Sequence, residues 1–257
     1  MYVTGRTETD GPHPTPLPGT VQETADEVTA LGGRGVAIAC DHRDDEQTRR
    51  AVQQVVADAG RLDVLVNNVW GGYEYFWDGT EFWLEAGFWT QPIERWDAAF
   101  QAGVRAHYVT AVAAVPTMVT QGSGLIVNVS SEGAVKTDTG VAYGAAKAAT
   151  DHMIACMAHE LREHGVTAVS LYPGLVRTES VLRAAEYIDL SDSESPLFVG
   201  RAVAALAADP DVARYTGQVV RSADLGQHYR FADTDGRHPG TNDRPYQAPG
   251  AAGAVLR

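Results

Sequence analysis

Basic residues are scarce in this chain, and lysine is nearly absent. Of the 20 basic side chains 18 are arginine and two are lysine, Lys136 and Lys147, against 33 acidic residues and a net charge of −13. A surface so acidic repels nucleic-acid phosphates and anionic lipid, so neither nucleic acid nor a membrane is expected as partner. Cysteine is sparse as well: Cys40 and Cys156 stand alone, with no CxxC pair and no Cys/His cluster. That argues against a disulfide framework and a structural zinc site, and reads as a reduced cytoplasmic protein. No run approaches ~18 apolar residues, so no transmembrane helix is expected. The amino terminus has no basic stretch followed by an apolar core, which excludes a signal peptide.

What is present alternates. Short runs rich in Val, Ile and Leu predict strands at Tyr2–Thr4, Gly35–Cys40, Val64–Val66, Leu125–Val129, Val166–Leu171 and Gln218–Val220. Most lack polar alternation, the look of parallel strands buried on both faces. Between them lie predicted helices at Val21–Ala30, Asp44–Ala59, Pro92–Met118, Val141–His164 and Pro196–Ala208. Strands alternating with helices of this length predict an α/β fold, a Rossmann-like doubly wound parallel sheet flanked by helices. The 257 residues suit one such domain. It is expected over 1–236, with 237–257, rich in Gly and Pro, as a flexible tail.

One spacing carries chemistry. Tyr143 and Lys147 fall four apart in the first turns of a predicted helix, so they share a face. A phenol with a reference pKa of about 10 needs help to exchange protons near neutrality, and a neighbouring ammonium favours its phenolate. Leu125–Val129 runs into Ser130 and Ser131, twelve residues before Tyr143. Ligands of open parallel sheets bind beyond the carboxyl ends of the strands, where a serine can reach a substrate oxygen. Two other strands end in Asn67-Asn68 and in Pro173-Gly174, the latter followed by Thr178.

Taken together, Asn67-Asn68, Ser131, Tyr143-x-x-x-Lys147 and Pro173-Gly174 with Thr178 resemble the short-chain dehydrogenase/reductase family, in its order and at about its spacing. Segments such as RLDVLVNN, GLIVNVSS and HELREHGVTAVSLYPGLVRTE resemble one branch of it, the dehydrogenase/reductase member 1-like proteins. The resemblance implies an oxidoreductase moving a hydride between NADP(H) and a carbonyl or secondary alcohol. Tyr143 would be its general acid/base, Lys147 would assist Tyr143 and hold the nicotinamide ribose, and Ser131 would position the carbonyl, with Ser130 as the other candidate. Thr178, in the Pro173-Gly174 loop, would contact the carboxamide. Asp41 would hold the adenine amino group, and Asn67 would line the cofactor floor. Asp41 reads equally as a turn cap, and Asn67 as a strand-end hydrogen bond. Arg6, directly after the first strand, favours a 2′-phosphate and hence NADP(H), with NAD(H) as the other reading. A homodimer or homotetramer and a small apolar carbonyl or alcohol substrate complete the expectation.

Two departures from the family stand out. Gly103 occupies the position where the family carries an asparagine that holds a relay water. The glycine-rich phosphate loop that opens the family fold also has no counterpart. Gly32-Gly33-Arg34-Gly35 precedes a strand instead of following one. Met1–Arg6 matches the family's second strand, so the chain reads as starting one βα unit late, with the central strand's neighbours left unpaired. The alternative reading is therefore a non-catalytic member that binds a ligand or partner. A third feature is the crowding of all five tryptophans and ten of 21 aromatics into residues 70–96, which reads as a substrate wall or as packing. His159 and His164 are five apart, not the four a helical zinc motif needs. No Gly-x-Ser-x-Gly elbow occurs.

Overall fold

The structure is a computed structural model that describes residues 1–8, 18–72 and 87–240. Trp77, Trp83, Tyr73, Tyr75, Phe76 and Phe82 of the aromatic segment, and the tail from 241 onward, lie outside the described residues. Contacts divide the chain into two compact units, residues 1–62 with 69–118, and residues 63–68 with 119–257.

In the first unit β1 (Tyr2–Gly5) pairs in parallel with β2 (Val36–Ala39), Tyr2 opposite Val36 and Gly5 opposite Ala39. Helix α1 (Val21–Ala30) connects them and packs on both. Thr20 starts it through a reciprocal cap: its hydroxyl accepts from the Glu23 N–H at 3.0 Å, and its own N–H donates to the Glu23 carboxylate at 2.8 Å. Gly35 lets β2 approach this helix, since a Cβ there would sit 1.9 Å from the Ala25 carbonyl oxygen. The glycine cluster is thus a helix–strand packing device. Helix α2 (Asp45–Ala59) is capped by the Asp44 side chain and ends at Gly60, whose φ of 70° suits glycine.

The predicted helix over Pro92–Met118 is resolved into three pieces: α3 (Ile93–Ala98), a π-helical segment Ala99–Arg105 and α4 (Ala106–Gln121). The π turn falls where the Trp70 indole packs onto Gly103, and His107 just beyond it bonds the Val69 carbonyl at 3.0 Å. Such local widening re-aims side chains at a cost in helix geometry.

The second unit holds a parallel ladder in the order β3-β4-β5-β6: β3 (Val64–Asn67), β4 (Gly124–Val129), β5 (Val166–Tyr172) and β6 (Val219–Arg221). Long helix α5 (Val141–Leu161) packs on β5 and β4. A core of Leu125, Val127, Val169, Leu171, Ala202, Leu206 and Leu225 joins these strands to α7 (Pro196–Ala208) and α8 (Ser222–Tyr229). Between β5 and α7 lies α6 (Glu179–Arg183). Neither α6 nor α8 was predicted from periodicity. Both are too short for a 3.6-residue pattern to stand out.

The parallel α/β architecture agrees with the expectation, with one correction. Strands β4 and β5 are buried on both faces, but β1, β2 and β3 are not, and Val64 and Val66 of β3 are exposed. Among the described residues β1 and β2 form a ladder of their own, and β3 is an edge of its ladder. Strands with one neighbour keep one flank open.

Candidate active site

Parallel pairing brings the carboxyl ends of β3, β4 and β5 to one end of the second unit's sheet. Asn67 stands opposite Asn128, and Asn128 opposite Ser170. All three are buried. Asn67 Nδ2 donates to Asn128 Oδ1 at 2.8 Å. The side chain expected on the cofactor floor also makes a strand-end cross-link.

Beyond β4 the chain turns sharply. Ser131 caps a short turn, Glu132–Ala134, accepting from the Gly133 N–H at 3.2 Å. Gly140 precedes α5 with a φ of 82°. The first turn of α5 then lays the Tyr143 ring against Gly133. A Cβ on Gly133 would lie 2.4 Å from that ring, so only glycine admits it. The Tyr143 hydroxyl donates to Ser131 Oγ at 2.8 Å. Ser130 faces the other way, buried, with its hydroxyl donating to the Lys147 carbonyl at 3.4 Å. Of the two candidate serines it is Ser131 that meets Tyr143.

One turn further along α5, Lys147 is buried, and its Nζ donates to the Val129 carbonyl at 3.3 Å. The ammonium lies 5.7 Å from the centre of the Tyr143 ring, within the range of a cation–π contact. Burial pushes its pKa down to about 8, while the charge of Asp151 works in the opposite direction. Another turn on, Asp151 accepts a hydrogen bond from the Tyr172 hydroxyl at the end of β5. Burial raises the Asp151 pKa, against the hydroxyls of Tyr172, Ser130 and Ser170 and the charge of Lys147.

The loop after β5 carries Pro173, Gly174 and Thr178. Thr178 caps α6, accepting from the Val181 N–H at 3.4 Å. Between them Val176 bridges Glu194. The Arg177 guanidinium donates to the buried Asp233 carboxylate at 2.8 Å and to the Ser193 carbonyl at 2.6 Å. Glu194 is buried and takes its neighbours from Ser222 and the Gly174 N–H. Desolvation pushes its pKa up to about 7, with Asp233 and Asp192 adding to the rise.

The remaining predicted residues, Arg6 and Asp41, belong to the first unit. They follow the paired strands β1 and β2, joined by a bond from the Cys40 N–H to the Gly5 carbonyl at 2.8 Å. Arg6 is exposed. The Asp41 carboxylate is gripped by Arg43, with Nη2 at 2.7 Å, and this bond holds its pKa below the ordinary carboxylate range. It also turns the chain locally by accepting from the Arg43 N–H at 3.0 Å.

Sequence reasoning missed Gly133, Asp151, Tyr172 and Glu194. A signal existed for Asp151, which extends the Tyr143–Lys147 spacing by one more step of four. None existed for Glu194, whose surroundings include Gly174, Ser222 and Asp233 from three other segments. Among the described residues no helix is long and apolar enough to cross a membrane, and no group of three His, Cys, Asp or Glu side chains could hold a metal. Cys40 and Cys156 are both free.

Comparison with known proteins gives the family. The family model of the short chain dehydrogenases matches residues 17–187. Dehydrogenase/reductase SDR family member 1 of Mus musculus is 41% identical over 232 residues, covering 85% of this chain and 73% of the mouse protein. A short chain dehydrogenase structure from Mycobacterium thermoresistibile superposes with a TM-score of 0.72 at 24% identity, over 89% of this chain and 78% of that one. This likeness speaks to the fold alone. A metagenomic short-chain oxidoreductase solved in complex with NADP has a TM-score of 0.59 at 28% identity, over 74% of this chain and 75% of that one. The chain belongs to the short-chain dehydrogenase family of oxidoreductases, in the branch of the member 1-like proteins.

Proposed function

We propose that the protein transfers a hydride between NADP(H) and a carbonyl or secondary alcohol, with Tyr143 as its general acid/base. One observation carries this reading: the Tyr143 hydroxyl and Ser131 Oγ meet at 2.8 Å beside a buried lysine. Two hydroxyls that close can share one substrate oxygen. In the reducing direction Tyr143 gives its proton to the carbonyl oxygen as negative charge develops there, and Ser131 orients that oxygen by donating a second hydrogen bond. In the oxidising direction Tyr143 takes the alcohol proton. The Lys147 ammonium stabilises the phenolate left on Tyr143, and its three donors suit the hydroxyls of a nicotinamide ribose.

The nicotinamide nucleotide supplies or accepts the hydride when bound. The donor set of Ser131, Tyr143, Lys147 and Thr178 fits its ribose and carboxamide end, with Pro173 and Gly174 shaping the loop. Asn67 lines the cofactor floor. In the first unit the charge of Arg6 suits a 2′-phosphate, and hence NADP(H) over NAD(H), and Asp41 is the candidate for the adenine amino group. The NADP in the related metagenomic enzyme is in keeping with this choice. The aromatic-rich segment around Trp70, Trp89 and Trp96 favours an apolar carbonyl or alcohol as substrate. A cytoplasmic homodimer or homotetramer and one domain over 1–236 remain part of this proposal.

The test pairs turnover with binding. Wild-type protein and Tyr143→Phe are assayed for NADPH oxidation over a panel of apolar ketones and aldehydes, and NADPH and NADH are titrated by fluorescence. Tyr143→Phe is expected to lose at least about 10²-fold in turnover with little change in NADPH affinity. Persistent turnover would refute the assigned acid. Failure of either protein to bind a nicotinamide nucleotide would favour the non-catalytic alternative.

A further inference from the structure

Helix α5 carries a third ionisable residue on the stripe that bears the candidate catalytic pair. Tyr143, Lys147 and Asp151 follow one another at intervals of four, which stacks them on one face. The pairing of Lys147 with Asp151 is not a device for helix stability. A carboxylate four residues after a lysine is the less favourable order for an isolated helix. These residues also face inward, with Lys147 buried and Asp151 half-buried.

Asp151 sits where three elements meet. Its Oδ2 accepts from the Tyr172 hydroxyl at the end of β5. The hydroxyls of Ser130, just after β4, and Ser170, on β5, act on the same carboxylate. Its Oδ1 is fully buried, as is Ser170 Oγ, and neither closes a direct hydrogen bond with good geometry. A carboxylate held this way costs free energy, because one oxygen lacks a full partner. A neutral amide could keep the Tyr172 bond without burying charge. An aspartate in that place therefore calls for a reason beyond bracing.

Lys147 supplies one. Its ammonium is buried, donates to the Val129 carbonyl and lies 5.7 Å from the centre of the Tyr143 ring. Burial alone drives a lysine toward its neutral form. Glu132, in the turn after β4, binds Lys136 at 2.9 Å and Arg221 of β6 at 3.2 Å. Glu132 and Arg221 act on Tyr172 in opposite senses. Asp151 is the carboxylate that acts on Lys147.

We propose that Asp151 is a positioning residue: it keeps the Lys147 ammonium charged beneath Tyr143 and ties that helix face to the end of β5 through Tyr172. This rests on the reading of Tyr143 as the general acid/base for its purpose, but not for its test. Without Asp151 the lysine would turn neutral near physiological pH, and the phenolate of Tyr143 would lose its counter-charge.

The two-lysine composition makes the test direct. Protein labelled with carbon-13 and nitrogen-15 in lysine gives two side-chain Nζ signals, read through the non-exchanging Hε protons. Lys136, half-exposed at 52%, is the internal reference. The Lys147 signal is titrated from neutral to alkaline pH in the wild type, in Asp151→Asn and in Asp151→Glu. The expected result is a Lys147 midpoint lowered about tenfold in proton affinity in Asp151→Asn, restored in Asp151→Glu, with Lys136 unmoved. Asp151→Ser replaces the amide variant if that variant does not fold. An unchanged Lys147 midpoint in the neutral variant overturns the proposal. The alkaline limb of turnover should move with the Lys147 midpoint, and a merely structural role would not move it. Since the titration needs neither substrate nor cofactor, a failure of the oxidoreductase reading would show separately, as absent turnover with an intact Lys147 shift.

Discussion

Glu194 offers a quantitative test of how the loop after β5 is held. Its carboxyl group is 1% exposed. Ser222 Oγ lies 2.9 Å from one oxygen and 2.8 Å from the other. Ser222 has one proton for the two oxygens, and a carboxylic acid there can donate to Ser222 Oγ while accepting from the Gly174 N–H. Asp233 and Asp192 add negative charge nearby, and the Arg177 guanidinium is committed to Asp233. These causes raise the pKa from 4.5 to about 7, equivalent to about 3 kcal/mol between the two protonation states.

The sign follows from linkage. The folded state binds this proton more tightly than the unfolded state does. The stabilising contribution is complete below the unfolded value near 4.5 and is lost as pH rises through about 7. Glu194→Gln keeps the hydrogen bonds of the acid form, with its amide nitrogen donating to Ser222 and its oxygen accepting from Gly174. Urea unfolding of both proteins at about pH 5 and about pH 8 gives the comparison. The two should be similar at the lower pH, and the variant should be more stable by about 2–3 kcal/mol at the higher. Asp233, held down to about 2, and His42, pushed down by burial, titrate alike in both proteins and cancel. Parallel pH dependence in the two proteins would refute a buried, raised carboxyl at Glu194.

Two glycines give further tests. Gly133→Ala would drive a methyl group to 2.4 Å from the Tyr143 ring and 3.1 Å from Ser131 Oγ. It should cost roughly 10²-fold in turnover through misplacement of the pair, with an unchanged circular dichroism spectrum, and full activity would count against the Tyr143–Ser131 geometry. Gly103→Ala would place its Cβ 2.6 Å from the Trp70 indole. It should destabilise by about 1–3 kcal/mol through overpacking, despite the helical advantage of alanine. In a Trp70→Leu background that cost should shrink, and strict additivity in urea unfolding would argue against the contact.

The legible parts of this molecule are those in which a local pattern has a local cause. The apolar runs of β4 and β5 mark strands buried on both faces, because strand patterning acts over a few residues. Tyr143 and Lys147 were legible for the same reason: a spacing of four on a helix is itself a geometry. Asn67 was legible as a position and not as a contact, since its bond to Asn128 joins residues 61 apart. The same limit hid the exposure of β3, which depends on which strands flank it and not on its own apolar residues. It also left Gly103 as an unexplained departure until the Trp70 ring was found in its place. The two sites belong together: an asparagine side chain at 103 would have to pass through the indole, so the tryptophan at 70 and the glycine at 103 constitute one packing solution. Asp151 combines both cases. Its spacing from Lys147 was visible, but its significance needed Tyr172, Ser130 and Ser170 to arrive from two strands. A charge that neighbours from other strands hold in place is what separates a positioning carboxylate from one more acidic residue in an acidic chain.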